Sequence, residues 1–74
     1  MPNVTIYTSS TCPHCVSAKQ YLQQKGVDFT EKNVSTDVSA RNELIQMGYR
    51  GVPVIVVDGE EILGFDRNRL EQLL

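Results

Sequence analysis

The chain holds two cysteines, Cys12 and Cys15, in the stretch Thr11-Cys12-Pro13-His14-Cys15. A C-x-x-C pair has three ordinary chemistries: half of a metal site, a structural crosslink, or reversible thiol–disulfide exchange. A structural zinc site wants four ligands, typically two such pairs or a pair with two histidines. This sequence supplies one pair and a single histidine, His14, lying between the cysteines, so no metal site is expected within one chain. A structural disulfide here would close a very short loop and remove little entropy from the unfolded chain. Exchange chemistry needs a thiolate at a modest pH, and the surroundings of the pair supply the means.

Those surroundings are a strand followed by a helix. Asn3 to Thr8 alternates Val4 and Ile6 with Thr5 and Tyr7, a β-branched and aromatic strand pattern. Thr11 is the expected cap of a helix entered at Cys12 or Pro13, since proline fits the first turn, where its missing N–H costs nothing. Beyond it Cys15, Ala18 and Leu22 share one face with Tyr21 beside them, while Lys19, Gln20, Gln23, Gln24 and Lys25 largely cover the other and Gly26 ends the helix. Cys12 then sits where backbone N–H groups lack intrahelical partners and the helix dipole favours negative charge. Thiols so placed ionise more readily than free cysteine. Cys15, one turn on and on the inward face, is the expected resolving thiol. Pro13 stiffens the turn and removes an N–H from the vicinity of the sulfur. His14 either adds positive charge beside Cys12 when protonated or is a solvated imidazole of little effect.

A second strand is expected over Val27 to Val34. Ser35-Thr36-Asp37 supplies caps for a second helix whose Ala40, Leu44 and Met47 share a face and which Gly48 closes, with Met47 expected in the core. Two apolar runs flank Asp58-Gly59, the sequence of a tight hairpin. Asp66 is placed to cap a last helix with Leu70, Leu73 and Leu74 as its apolar side. The order β-α-β-α-β-β-α predicts a parallel first pair with a right-handed crossover and an antiparallel hairpin joined to the same sheet. A four-stranded mixed sheet with helices on both faces buries every apolar stripe.

At 74 residues the chain is expected to be a single domain over 1–74. Seven basic against nine acidic residues give a net charge of −2, which offers nucleic acid and anionic lipid no attraction. The longest apolar run, Val52 to Val57, is about a third of a membrane span and contains a proline. The first ten residues carry neither a basic nor an apolar signal segment, and two cysteines are no disulfide framework. A cytoplasmic, reducing compartment and a monomer are expected.

Far from the cysteines, Gly51-Val52-Pro53-Val54 opens the third strand. A Val52-Pro53 bond is a candidate cis peptide, against the plainer reading of a trans proline opening an edge strand. In the expected sheet this loop and the Cys12 loop meet at neighbouring strand ends, where the backbone of Val52 can pair with an extended, thiol-bearing substrate.

With Tyr7-Thr8, Thr11-Cys12-Pro13-His14-Cys15, Gly51-Val52-Pro53 and Gly64-Phe65-Asp66 in view, the chain resembles the glutaredoxins over nearly its whole length, and especially the short redoxins that include electron donors to ribonucleotide reductase. The resemblance implies a thioredoxin-like fold, a cis Pro53, Cys12 as nucleophile and no tightly bound cofactor. It implies glutathione as co-substrate, held by Val52 and Pro53 and by the turn Gly64-Phe65-Asp66. Departures from the glutathione pattern are Leu63-Gly64 for Gly-Gly, Gly51 for Thr, and Ser9-Ser10 where a basic residue is common. Arg50 and Arg67 are candidates to meet a carboxylate instead, weighed against ordinary solvated roles. Gly64-Phe65 resembles relatives reduced by thioredoxin reductase, and Phe65 is a candidate for a protein-docking patch. The expected partners are therefore glutathione or thioredoxin reductase on one side and disulfide-bearing proteins on the other. Rival readings are a disulfide-forming oxidase, with a potential near −120 mV rather than about −200 mV, an iron–sulfur carrier sharing Cys12 between two chains, and a non-catalytic binding module.

Overall fold

The structure, a computed structural model, describes residues 3–74; Met1 and Pro2, the first two residues of the domain expected over 1–74, lie outside the described residues. The elements are β1 (Val4–Thr8), α1 (Pro13–Gln24), β2 (Phe29–Asn33), α2 (Val38–Gln46), β3 (Val54–Val57), β4 (Glu60–Leu63) and α3 (Arg67–Leu73). Their order is the β-α-β-α-β-β-α that the sequence predicts. The strands form one mixed sheet in the order β2-β1-β3-β4, a thioredoxin-like arrangement. β1 runs parallel to β2, with Val4 opposite Phe29 and Thr8 opposite Asn33. It runs antiparallel to β3, with Tyr7 opposite Val54, and β3 pairs antiparallel with β4.

Period-2 alternation sends successive side chains to opposite faces, and each face carries its own core. Val4, Ile6, Ile55, Val57 and Ile62 pack with Ala18, Tyr21 and Leu22 of α1 and Leu70 of α3. On the other face Tyr7 and Val54 meet Leu44 of α2, with Val34, Met47, Tyr49 and Val52 at the margins. Asp58 and Gly59 both take positive φ (50° and 87°), the backbone a two-residue hairpin of right-handed twist requires. Asp37 caps α2 by accepting from the N–H groups of Ser39 and Ala40.

Two local expectations are corrected. Met47 is only half-buried, because α2 ends at Gln46 and Met47 is its C-cap. Leu74 lies past the end of α3 and is exposed, leaving Leu70 buried and Leu73 half-buried. Of the two readings of Pro53, the structure has the cis one: the Val52-Pro53 peptide is cis, and β3 is interior, between β1 and β4, rather than an edge strand. No helix among the described residues is long and apolar enough to cross a membrane.

Candidate active site

β1 and β3 are neighbours and antiparallel, so the loop leaving β1 and the loop entering β3 arrive at the same end of the sheet. The first carries Cys12; the second carries Val52 and Pro53. The sequence expectation that Thr11 caps α1 is corrected. With Pro13 as the first helical residue, the cap position falls on Cys12, whose backbone is extended (φ −103°, ψ 105°). Cys12 Sγ accepts a hydrogen bond from the Cys15 N–H at 3.2 Å. Sulfur thus takes the place that a serine or aspartate oxygen usually fills, and Thr11 is left exposed in the loop.

Cys12 Sγ also lies 3.7 Å from the Val52 carbonyl, to which its S–H donates. The sulfur is thus held from two sides, by the first turn of α1 and by the loop entering β3. Cys12 is half-buried and reachable; Cys15 is 1% exposed. Burial, above all, and then its hydrogen bond with Cys12 push the Cys15 thiol up to about 11, against an ordinary 9.0. One thiol therefore faces solvent and its partner is held protonated behind it.

The remaining expected residues fall around this pair. Pro53 is buried, and its carbonyl accepts from the Gly64 N–H at 2.8 Å, which ties the turn after β4 to the start of β3. Gly64 has φ 83°, a conformation a side chain would strain. Asp66 caps α3, its carboxylate accepting from the Arg69 N–H at 3.1 Å. His14 is exposed. Phe65 is not a free docking residue: it is half-buried and packs on Tyr21, ring centroids 5.6 Å apart and planes tilted by 59°. Arg67 stacks over the same Tyr21 ring at 5.4 Å.

A second polar group near the site was not read from the sequence. The buried Thr8 hydroxyl donates to Glu31 Oε2 at 2.8 Å, and Lys19 Nζ pairs with the same oxygen at 3.0 Å. These two contacts hold the Glu31 carboxyl below its ordinary range, Lys19 more than Thr8. Lys19 follows Cys15 by one helical turn, so the i, i+4 spacing was the available signal. Among the described residues no cluster of three or more His, Cys, Asp or Glu side chains could hold a metal ion.

A reachable thiol at a helix start, a buried partner one turn on and a cis proline opposite define a thiol-redox site on a thioredoxin-like frame. The glutaredoxin family model matches residues 4–62, and the chain belongs to that family. It is 39% identical over 72 residues to an uncharacterized glutaredoxin-like 8.6 kDa protein of the rubredoxin operon of Clostridium pasteurianum, covering 96% of each chain. It is 43% identical over 67 residues to glutaredoxin 3 of Escherichia coli strain K12, covering 89% of this chain and 81% of that one. Among solved structures it is similar to the glutaredoxin-like protein NrdH-redoxin of Escherichia coli, which is described by a thioredoxin-like activity profile. The TM-score is 0.88 at 29% identity, over 97% of this chain and 95% of that one.

Proposed function

We propose that the protein is a dithiol thiol–disulfide oxidoreductase that reduces protein disulfides or glutathione mixed disulfides through Cys12 and Cys15. The observation that carries this reading is the asymmetry of the pair: Cys12 reachable, its sulfur accepting from the Cys15 N–H, and Cys15 buried behind it. In the first step Cys12 Sγ attacks one sulfur of a substrate disulfide, forms a mixed disulfide and releases the other sulfur as a thiolate. In the second, Cys15 gives up its proton and attacks Cys12 Sγ. The substrate's second thiolate leaves, and a Cys12–Cys15 disulfide remains. Two electrons have passed to the substrate, and a thiol donor must return them.

The Val52 backbone beside Cys12 gives the substrate a place to align. An extended segment hydrogen-bonding there would bring its sulfur in line with Cys12. A glutathione adduct would use the same strand and the Gly64-Phe65-Asp66 turn that Pro53 holds in place.

The electron source is tested by following NADPH consumption with the oxidised protein in two systems, glutathione with glutathione reductase, and thioredoxin reductase alone. Turnover with glutathione supports the glutathione-linked activity. Turnover only with thioredoxin reductase moves the protein to the second reading, a redoxin serving a reductase such as ribonucleotide reductase. Two observations favour that alternative: Leu63 rather than glycine precedes Gly64, and the chain is similar to the NrdH-redoxin. Turnover with neither overturns both.

A further inference from the structure

The sequence has seven cationic side chains, all among the described residues. Lys19, Lys32 and Arg69 are in ion pairs with Glu31, Glu43 and Glu60. Lys25 and Arg67 lie over the Tyr21 ring. Arg41 and Arg50 alone among them have neither kind of partner, and both line the same groove. That groove, of about 670 Å³, lies between α2 and the loop entering β3. Val34, Leu44, Ile45 and Tyr49 are its apolar lining. Its size is within the roughly 300–1,000 Å³ of ordinary ligand sites. Ile45, 52% exposed, presents apolar surface on the same face of α2 as Arg41, one turn earlier.

The groove adjoins the redox site on two sides. Ser35, also in its lining, accepts from the Ser10 N–H at 3.2 Å, within the Cys12 loop. Arg50 stands two residues before Val52, whose carbonyl contacts Cys12 Sγ. In a chain of net charge −2, two unpaired guanidinium groups over an apolar floor beside the nucleophile suit one kind of occupant.

We propose that this groove docks the polypeptide flanking the disulfide under attack, and that it selects a segment with an acidic residue beside an apolar one. The inference rests on the exchange chemistry above and names the substrate class that chemistry would favour. Charge complementarity carries the choice. A carboxylate would meet Arg41 and Arg50 while its apolar neighbour covers Ile45 and Leu44; a basic segment would add two like-charge contacts.

The test uses pre-reduced protein in single turnovers, so that no electron donor enters the result. Two peptide disulfides of equal length are compared, one with Glu-Leu beside its cysteine and one with Gln-Leu. Two exposed charge contacts, each worth a factor of about three, predict that the Glu peptide reacts about tenfold faster at low salt, with the preference shrinking as salt is added. In Arg41→Gln/Arg50→Gln the ratio should fall to about one, and in Arg41→Glu/Arg50→Glu a Lys-Leu peptide should become the faster substrate. Using the ratio cancels any general loss of reactivity. Equal rates in the unmodified protein, or a preference that survives in the double variants, would overturn the proposal. So would an arginine dependence confined to glutathione mixed disulfides, which would assign the groove to the carboxylates of glutathione. Bis(2-hydroxyethyl) disulfide separates the two levels of inference. If reduced protein fails to reduce it, the exchange reading falls and docking with it; if it is reduced without peptide discrimination, docking alone falls.

Discussion

In the exchange proposed above the buried thiol is the nucleophile of the second step, and the pH dependence of that step follows from the thiol's surroundings. Burial is the largest cause of its raised value, and a hydrogen bond and charge repulsion from Cys12 add to it, while the Ser9 backbone and, more weakly, Lys19 oppose it. At about 11, each pH unit below the pKa costs a factor of ten in thiolate, so roughly one molecule in 10⁴ would carry the nucleophile at pH 7. Once Cys12 is in a mixed disulfide, both of its contributions vanish, and burial, the largest cause, still raises the thiol. The rate of product release from a preformed Cys12 mixed disulfide should therefore rise about tenfold per pH unit from about pH 6 to about pH 9. A chromophoric aromatic thiol as leaving group makes release visible in a stopped-flow instrument. Cys15→Ala should show the first release and no second. Lys19→Gln should move the rising limb to higher pH. A release rate flat from about pH 6 to about pH 8 would refute the reasoning, because it would mean that Cys15 is already ionised in the mixed disulfide.

The same thiol makes a stability prediction. Its folded value exceeds the ordinary one, so the native state holds its proton more tightly. Relative to Cys15→Ala, the reduced protein should lose up to about 2–3 kcal/mol as pH rises from about 9 to about 11, read from denaturant midpoints. Asp37→Ala removes the acceptor for two N–H groups at the start of α2 and should cost about 1 kcal/mol in urea unfolding. Leu22→Ala empties a site with 0% exposure between α1 and the sheet; a loss of 2–5 kcal/mol is expected, and a loss below about 1 kcal/mol would contradict the packing described. Cys12→Ser should abolish reduction of every disulfide, while Cys15→Ser should accumulate a mixed disulfide on Cys12 that mass spectrometry detects.

The order of elements was legible because each boundary carries a residue with one strong local preference. Pro13 starts α1, Asp37 starts α2, Asp58-Gly59 turns the hairpin and Asp66 starts α3. The cysteine pair and the proline loop were legible for the same reason. Side-chain choices at element ends were not. Thr11 looked like the cap because oxygen acceptors dominate that position, yet the cap falls one residue later, on a sulfur. Met47 and Leu74 continue their helices' apolar spacing past the last helical residue, where the face no longer points inward. Phe65 was read from its neighbours in the chain, whereas its position is decided by Tyr21, 44 residues earlier in the sequence. The Thr8–Glu31–Lys19 group joins three elements, and the Arg41–Arg50 pairing depends on which other cations have found partners. Both are properties of the assembled surface.

Because Cys12 Sγ is itself the N-terminal cap of α1, the reactive atom and the helix's first anchor are one and the same. Oxidation converts that atom from a thiol sulfur that accepts from the Cys15 N–H to a disulfide sulfur, a poorer acceptor, so in the proposed cycle each turnover would weaken and then restore the start of α1. Helix integrity and electron affinity are thereby thermodynamically linked. Whatever firms the first turn through this contact holds the reduced form more tightly than the oxidised one and raises the reduction potential, by about 30 mV for each 1.4 kcal/mol.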